Sequence, residues 1–163
     1  MPSEIQLWMG VASLDGVDIT LGTMTTSVAY LQVVEGGALP ESISRSPFRA
    51  VVVAEGAVSA DWQASVSEWL VRSGCLYMVA WGVNCSSWDD SVDMANIQEF
   101  EFKEIPEDRF VMTTWHEDQP LSEALWFAKH NAFHPTVPLR HTLLLHISAQ
   151  NGEQELLRAY GVA

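Results

Sequence analysis

From residue 48 onward, short apolar runs alternate with segments of helical periodicity, and no other feature of the chain constrains its fold as much. Arg49-Ala-Val-Val-Val-Ala54 is apolar after its first residue, and Cys75-Leu-Tyr-Met-Val-Ala-Trp81 is apolar throughout. A strand with one wet face alternates apolar and polar residues, whereas a continuous run belongs to a strand covered on both faces. Arg109–Trp115 and His141–Ile147 have the same length and are rich in β-branched, aromatic and apolar residues.

The intervening segments carry helix signals. Ser59 can cap a helix whose apolar stripe is Trp62, Val66, Trp69 and Leu70, and Gly74 stops it. Ser87-Trp-Asp-Asp90 fits a capping box ahead of the stripe Trp88, Val92, Ala95. Pro120 suits a helix first turn, followed by Leu121, Leu125, Ala128 and Ala132. Asn151 can cap a last helix bearing Leu156, Leu157 and Tyr160. Strand then helix, four times over, predicts an α/β fold: a mostly parallel four-stranded sheet with helices on both faces. Right-handed crossovers leave few topologies for it. The strands are expected near 49–54, 75–81, 109–115 and 141–147.

The first third is less regular. Residues 4–22 alternate apolar with small or polar residues on both sides of Asp15-Gly16, a two-residue hairpin signal. Thr23 to Glu35 fits strand or helix equally. Gly36-Gly37 to Pro47, with two prolines and three serines, reads as a loop or linker. The organisation expected is an α/β core domain over 39–163 and an N-terminal β-hairpin appendage over 1–38.

With 163 residues and 48% hydrophobic composition, the chain can bury a substantial core. Its apolar runs fall far short of the roughly 20 residues that span a bilayer. The start, Met1-Pro-Ser-Glu-Ile-Gln, has no basic stretch followed by an apolar one, so no secretory signal is expected. Two cysteines, Cys75 and Cys85, make no disulfide framework; reduced thiols and a cytoplasmic location are the simpler expectation.

Charge is distributed unevenly. Eight basic residues stand against 21 acidic ones, for a net −13, and ten of the acids but only two of the bases lie between Asp89 and Asp118. A field of that sign repels nucleic acid and anionic membrane and draws in basic partners.

In a parallel sheet the carboxyl ends of the strands lie along one edge, where α/β domains place ligands and chemistry. That edge should hold Glu55, then Cys85 with Asp89 and Asp90, then His116, Glu117 and Asp118, and finally His146. A thiol near a helix N-terminus and an imidazole on a neighbouring strand end suit nucleophilic catalysis. Cys85 and His116, with Asp118 or Glu117 orienting the ring, are the catalytic candidates. His130 and His134 are spaced i, i+4, but Asn131 stands where a zincin helix needs glutamate, so packing rather than metal binding is expected. The turn Glu55-Gly-Ala-Val-Ser59 lacks a glycine-rich fingerprint and a phosphate-binding lysine, and no cofactor is expected.

The phrases Arg49-Ala-Val-Val-Val, Ser73-Gly-Cys-Leu-Tyr-Met, Cys85-Ser-Ser-Trp-Asp-Asp-Ser-Val-Asp93 and Arg109-Phe-Val-Met-Thr-Thr-Trp-His-Glu-Asp118 occur together. Leu125-Trp-Phe-Ala-Lys-His130 and Thr142-Leu-Leu-Leu-His146 accompany them. This set resembles a family of uncharacterised bacterial proteins, a domain of unknown function, over about residues 39–147. The resemblance implies a bacterial, soluble, single-domain protein and carries no activity.

Two readings follow. In the first the protein is a non-enzymatic acidic binding module, such as an immunity protein or inhibitor covering a basic partner surface, with Asp89, Asp90, Asp93 and Glu117 at the interface. In the second it is a small α/β enzyme or ligand-binding domain using the edge formed by Cys85, His116 and His146. The first reading is preferred.

Overall fold

The computed structural model describes residues 19–21, 24–41 and 46–163. The hairpin turn expected at Asp15-Gly16 lies outside the described residues. Within them the strands are β1 (Ile19–Leu21), β2 (Met24–Val33), β3 (Phe48–Ala54), β4 (Cys75–Gly82), β5 (Met112–His116) and β6 (His141–Ile147). The helices are α1 (Ala60–Ser73), α2 (Cys85–Glu99), α3 (Leu121–His130) and α4 (Glu153–Gly161).

The sheet order is β1-β2-β6-β3-β4-β5. The last five strands in that order are mutually parallel, and β1 runs antiparallel to the start of β2. All four expected parallel strands are present. The expectation of four was one short, because Met24–Val33 is a strand paired with β6 from Ser27↔His141 to Val33↔Ile147. Its side chains explain why its pattern was ambiguous: Ala29 and Val33 enter the apolar layer under α1 and α2, while Tyr30 enters the layer under α3 and α4. A strand buried on both faces shows no period-2 alternation.

Each face of the sheet holds one helical layer. Val66, Trp69 and Leu70 of α1 and Trp88, Val92 and Ala95 of α2 pack on Ala50, Val52, Met78, Leu143 and Leu145. On the other face, Leu125 and Ala128 of α3 and Leu156 and Tyr160 of α4 pack on Val51, Val53, Val79 and Leu144. The β2–β3 connection crosses the α1 face. Trp62 and Trp69 fasten it by donating their indole N–H groups to Gly37 O (3.4 Å) and Pro40 O (2.7 Å).

Local signals held in part. Ser59 caps α1 by accepting from Trp62 N, and Gly74 ends it in the left-handed region at φ 101°. The capping box expected at Ser87 is not the start of α2. That helix begins three residues earlier, at Cys85 behind the cap Asn84 at φ 53°, and Ser87 donates from its hydroxyl to Asn84 O. The third expected strand starts late, at Met112 instead of Arg109. Residues Glu107–Arg109 form a 3-10 turn, and the buried Asn96 donates to Arg109 O (3.2 Å) and accepts from Val111 N (3.0 Å), withdrawing both groups from the ladder.

Candidate functional site

The acids expected at an interface lie on the α2–β5 margin of the domain. Asp90 and Asp93 are exposed on α2, Asp89 is half-buried, and Glu117 and Asp118 are exposed in the loop after β5. Thr113 and Trp115, two residues apart on β5, share the α2 face of the sheet by strand alternation. Thr113 Oγ1 donates to Asp93 Oδ1 at 3.0 Å, which fixes the register between helix and strand. Partial burial holds the Asp93 carboxyl above its ordinary range, and the neighbouring Asp89 and Asp90 carboxylates push in the same direction. Beside these acids Trp115, Met94 and Ile97 remain substantially exposed. The margin is therefore negative, apolar in places and without compensating bases on α2.

The thiol and imidazole proposed for catalysis are not brought together. Cys85, at the first position of α2, is buried in the cluster on the α1–α2 face. His116 pairs in register with Trp81, and both belong to the α3 face. There its ring lies 4.9 Å from that of Phe127, and its Nδ1 is 3.0 Å from Gln119 Oε1. The sheet thus separates the two side chains, and the thiol meets only the backbone of His116. Burial and the Glu117 carboxylate push the Cys85 pKa up, the opposite of activation. Asp118, expected to orient the ring, sits at φ 56° in the turn, and the group holding Nδ1 is Gln119.

The two histidines spaced i, i+4 do not share a helix face. Helix α3 ends at His130, whose Nε2 approaches Ala163 O at 3.3 Å. His134 is buried beyond the helix: its Nδ1 accepts from Thr136 N and Val137 N, and its Nε2 donates to Phe110 O at 2.9 Å. Among the described residues no group of three or more His, Cys, Asp or Glu is placed to hold a metal ion.

A second constellation sits at the switch point of the sheet. The connection from β3 leaves on the α1 face and that from β6 on the α4 face, so a crevice opens outside their carboxyl ends. It encloses about 480 Å³ and is walled by Val34, Val58 and Ile147, with Glu35, Glu55, Ser148 and Gln150 as its polar side chains. Behind Glu55 the buried His146 places Nε2 3.3 Å from the carboxylate, out of line for a hydrogen bond, and Nδ1 2.8 Å from Tyr30 Oη. Tyr30 Oη also accepts from Gly152 N at 3.0 Å. The Ser148 hydroxyl holds the Glu55 carboxyl below its ordinary range, so it is ionised at neutral pH. Glu35 accepts from Ser59 N and occupies the N-terminus of α1, the place where an anion would otherwise bind.

Sequence reasoning placed Glu55 and His146 on this edge but missed Tyr30, Glu35 and Gly152. Tyr30 and Glu35 lie in the segment left open between strand and helix. Once Met24–Val33 is a parallel strand, both follow as residues at or near its carboxyl end.

The fold and these sites define a doubly wound α/β domain with an acidic margin and a switch-point crevice. The chain belongs to the family described as Domain of unknown function (DUF7684), which matches residues 28–163. The match begins within β2 and takes in every parallel strand after it. No curated protein and no solved structure matches the chain. No helix among the described residues is long and apolar enough to cross a membrane.

Proposed function

We propose that this protein is an acidic, non-enzymatic binding module whose α2–β5 margin covers a basic surface of a protein partner, in the manner of an immunity protein or inhibitor. The observation that carries the reading is the crowding on α2. Asp89, Asp90 and Asp93 stand together without a base on the same helix, and the Asp93 carboxyl, raised mainly by partial burial, is raised further by the Asp89 and Asp90 carboxylates. A partner that brings lysine or arginine relieves this repulsion on docking, while Trp115, Met94 and Ile97 supply apolar contact. The two free, buried cysteines fit a reducing compartment, the cytoplasm. Nucleic acid and anionic membrane are not the expected partners of a chain with this charge.

The test is capture from the source cell at low salt, followed by affinity measurement against whatever is captured. The variant Asp89→Lys/Asp90→Lys/Asp93→Lys should lose binding while its circular dichroism spectrum stays unchanged. Wild-type affinity should fall steeply between about 0.05 and 0.5 M salt, because the screening length drops from above to below 10 Å across that range. Unchanged affinity in the triple variant rejects the acidic interface.

A second reading, ligand binding at the carboxyl edge of the sheet, is favoured by one observation: His146 backs the ionised Glu55 in the switch-point crevice. It uses His146 without Cys85 or His116.

A further inference from the structure

A second cavity lies at the amino end of the sheet, away from both the acidic margin and the switch point. It encloses about 470 Å³, inside the range of roughly 300–1,000 Å³ common to small-molecule sites. Val71, Leu76 and Val111, all buried, form apolar walls, and Arg72, Arg109 and Phe100 also line it.

With 21 acids against eight bases, an arginine in this chain has many carboxylates available to it. Arg72 takes one, placing Nε 3.2 Å from Glu99 Oε2, which leaves its two terminal nitrogens unspent in that pair. Arg109 forms no ion pair with any described residue, although Asp108 precedes it and borders the same cavity. Its guanidinium carbon lies 5.5 Å over the centre of the Phe100 ring, a cation–π contact that fixes the head without consuming its donors. The backbone beneath it is held as well. Asn96, 2% exposed, grips Arg109 O and Val111 N, and Arg109 N donates to Pro106 O at 2.9 Å. A charged fork that is stacked on an aromatic ring and free of any ion pair, beside a cavity whose lining mixes polar groups with the side chains of Val71, Leu76 and Val111, loses little freedom when an anion arrives.

We propose that this cavity binds a small monocarboxylic acid with an apolar body, its carboxylate on Arg109 with Arg72 alongside and its body against Val71, Leu76 and Val111. The fork geometry of a guanidinium matches a carboxylate in two parallel hydrogen bonds. Glu99 and Asp108 stand close by, so a single negative charge is tolerated where a phosphate dianion would be repelled. The net −13 of the chain makes the test discriminating, because nonspecific association of small anions with this protein is disfavoured.

The experiment titrates phenylacetate and hexanoate into the full chain, reading backbone amide shifts by nuclear magnetic resonance, with phenylacetamide as the neutral isostere. At least one acid should saturate, with shifts centred on Phe100, Arg109 and Val111. Phenylacetamide should bind weaker than phenylacetate by about tenfold or more, the usual scale for a charge-assisted hydrogen bond. Arg109→Gln should weaken the acids by about the same factor and leave the amide unaffected. Arg109 is exposed and its side chain supports no hydrogen bond within the described residues, so the variant should give a native spectrum. Three results overturn the proposal: no saturation by either acid, shifts centred elsewhere, or unchanged acid affinity in a folded Arg109→Gln.

Discussion

Tyr30 Oη stands 2.8 Å from His146 Nδ1, and this contact joins two strands that are 116 residues apart in sequence. Through Gly152 N it reaches the start of α4 as well. Backbone pairing of β2 with β6 sets the register, placing Tyr30 opposite Leu144 and Gln32 opposite His146. The side-chain bridge spans that register diagonally and holds the imidazole against Glu55.

Removing the tyrosine hydroxyl tests how much this bridge stabilises. Tyr30→Phe keeps the ring but leaves Gly152 N–H and His146 Nδ1 without their partner in a buried place. The expected loss is about 1–3 kcal/mol of unfolding free energy, the usual cost of an orphaned buried polar group. Urea denaturation should show a lower midpoint with an unchanged slope. An unaltered midpoint would show that water satisfies both groups and that the bridge contributes nothing net.

Asp93 gives a pH-dependent prediction with a definite sign. Its folded pKa lies above the ordinary 3.8, so the folded state binds the proton more tightly than the unfolded one. The stabilising effect of that proton is complete below the ordinary value and is lost as pH rises through the folded pKa. At neutral pH the ionised group therefore works against the fold. Asp93→Asn, which still offers an oxygen to Thr113, should raise the melting temperature at pH 7, and the gain should shrink toward pH 3. Added salt should shrink only the part of the gain that comes from Asp89 and Asp90, since burial, the larger cause, is not screened. A variant less stable at pH 7 than the wild type would contradict this account. Glu55 has the opposite sign: its lowered pKa stabilises the fold above the ordinary value of 4.5 and that contribution fades as pH falls through the folded one.

The close approach of β3 and β4 at their carboxyl ends depends on one glycine. Gly82 has φ 102°, and a Cβ there would lie 2.0 Å from Ala54 O. That carbonyl also accepts from Val83 N at 2.8 Å, so it cannot swing away without losing a bond. Gly82→Ala should cost on the order of 2–4 kcal/mol, combining left-handed strain with displacement of the strand end. The measure is chemical denaturation or the soluble yield of the variant. Wild-type stability would mean that β4 ends differently from this geometry.

The parallel core was legible in the sequence because continuous apolar runs and helical stripes leave few alternatives. Ser59 and Gly74 are local signals, and local geometry decided them. What escaped depended on partners far away in the chain. Met24–Val33 looked ambiguous because its residues serve two different cores, and only β6, arriving more than 100 residues later, makes it a strand. Arg109 to Val111 reads as strand by propensity, but Asn96 takes its backbone groups first. His116 and Cys85 do lie on one edge of the sheet, as expected, yet the period-2 alternation of β5 sends the imidazole to the opposite face. Sequence order places a residue at an edge; the strand's register decides what its side chain can touch.

That separation makes the thiol chemistry a direct test of the geometry. Cys85 is 2% exposed, and burial together with the Glu117 carboxylate pushes its pKa above the ordinary 9.0. Cys75 is buried deeper still and is pushed up to about 12. Alkylation requires both a thiolate and access, and the folded protein offers neither. Iodoacetamide at pH 6.5 should therefore modify both cysteines far more slowly than a free thiol, and mass spectrometry should find them unmodified until denaturant is added. His116→Ala should leave the Cys85 rate unchanged, because the imidazole it removes packs, tilted, against Phe127 across the sheet. Glu117→Gln should raise the Cys85 rate slightly at pH 8, by removing a carboxylate that opposes the thiolate. Rapid modification of Cys85 in the native protein, slowed by His116→Ala, would restore the thiol–imidazole pair and reject the placement of these two residues on opposite faces.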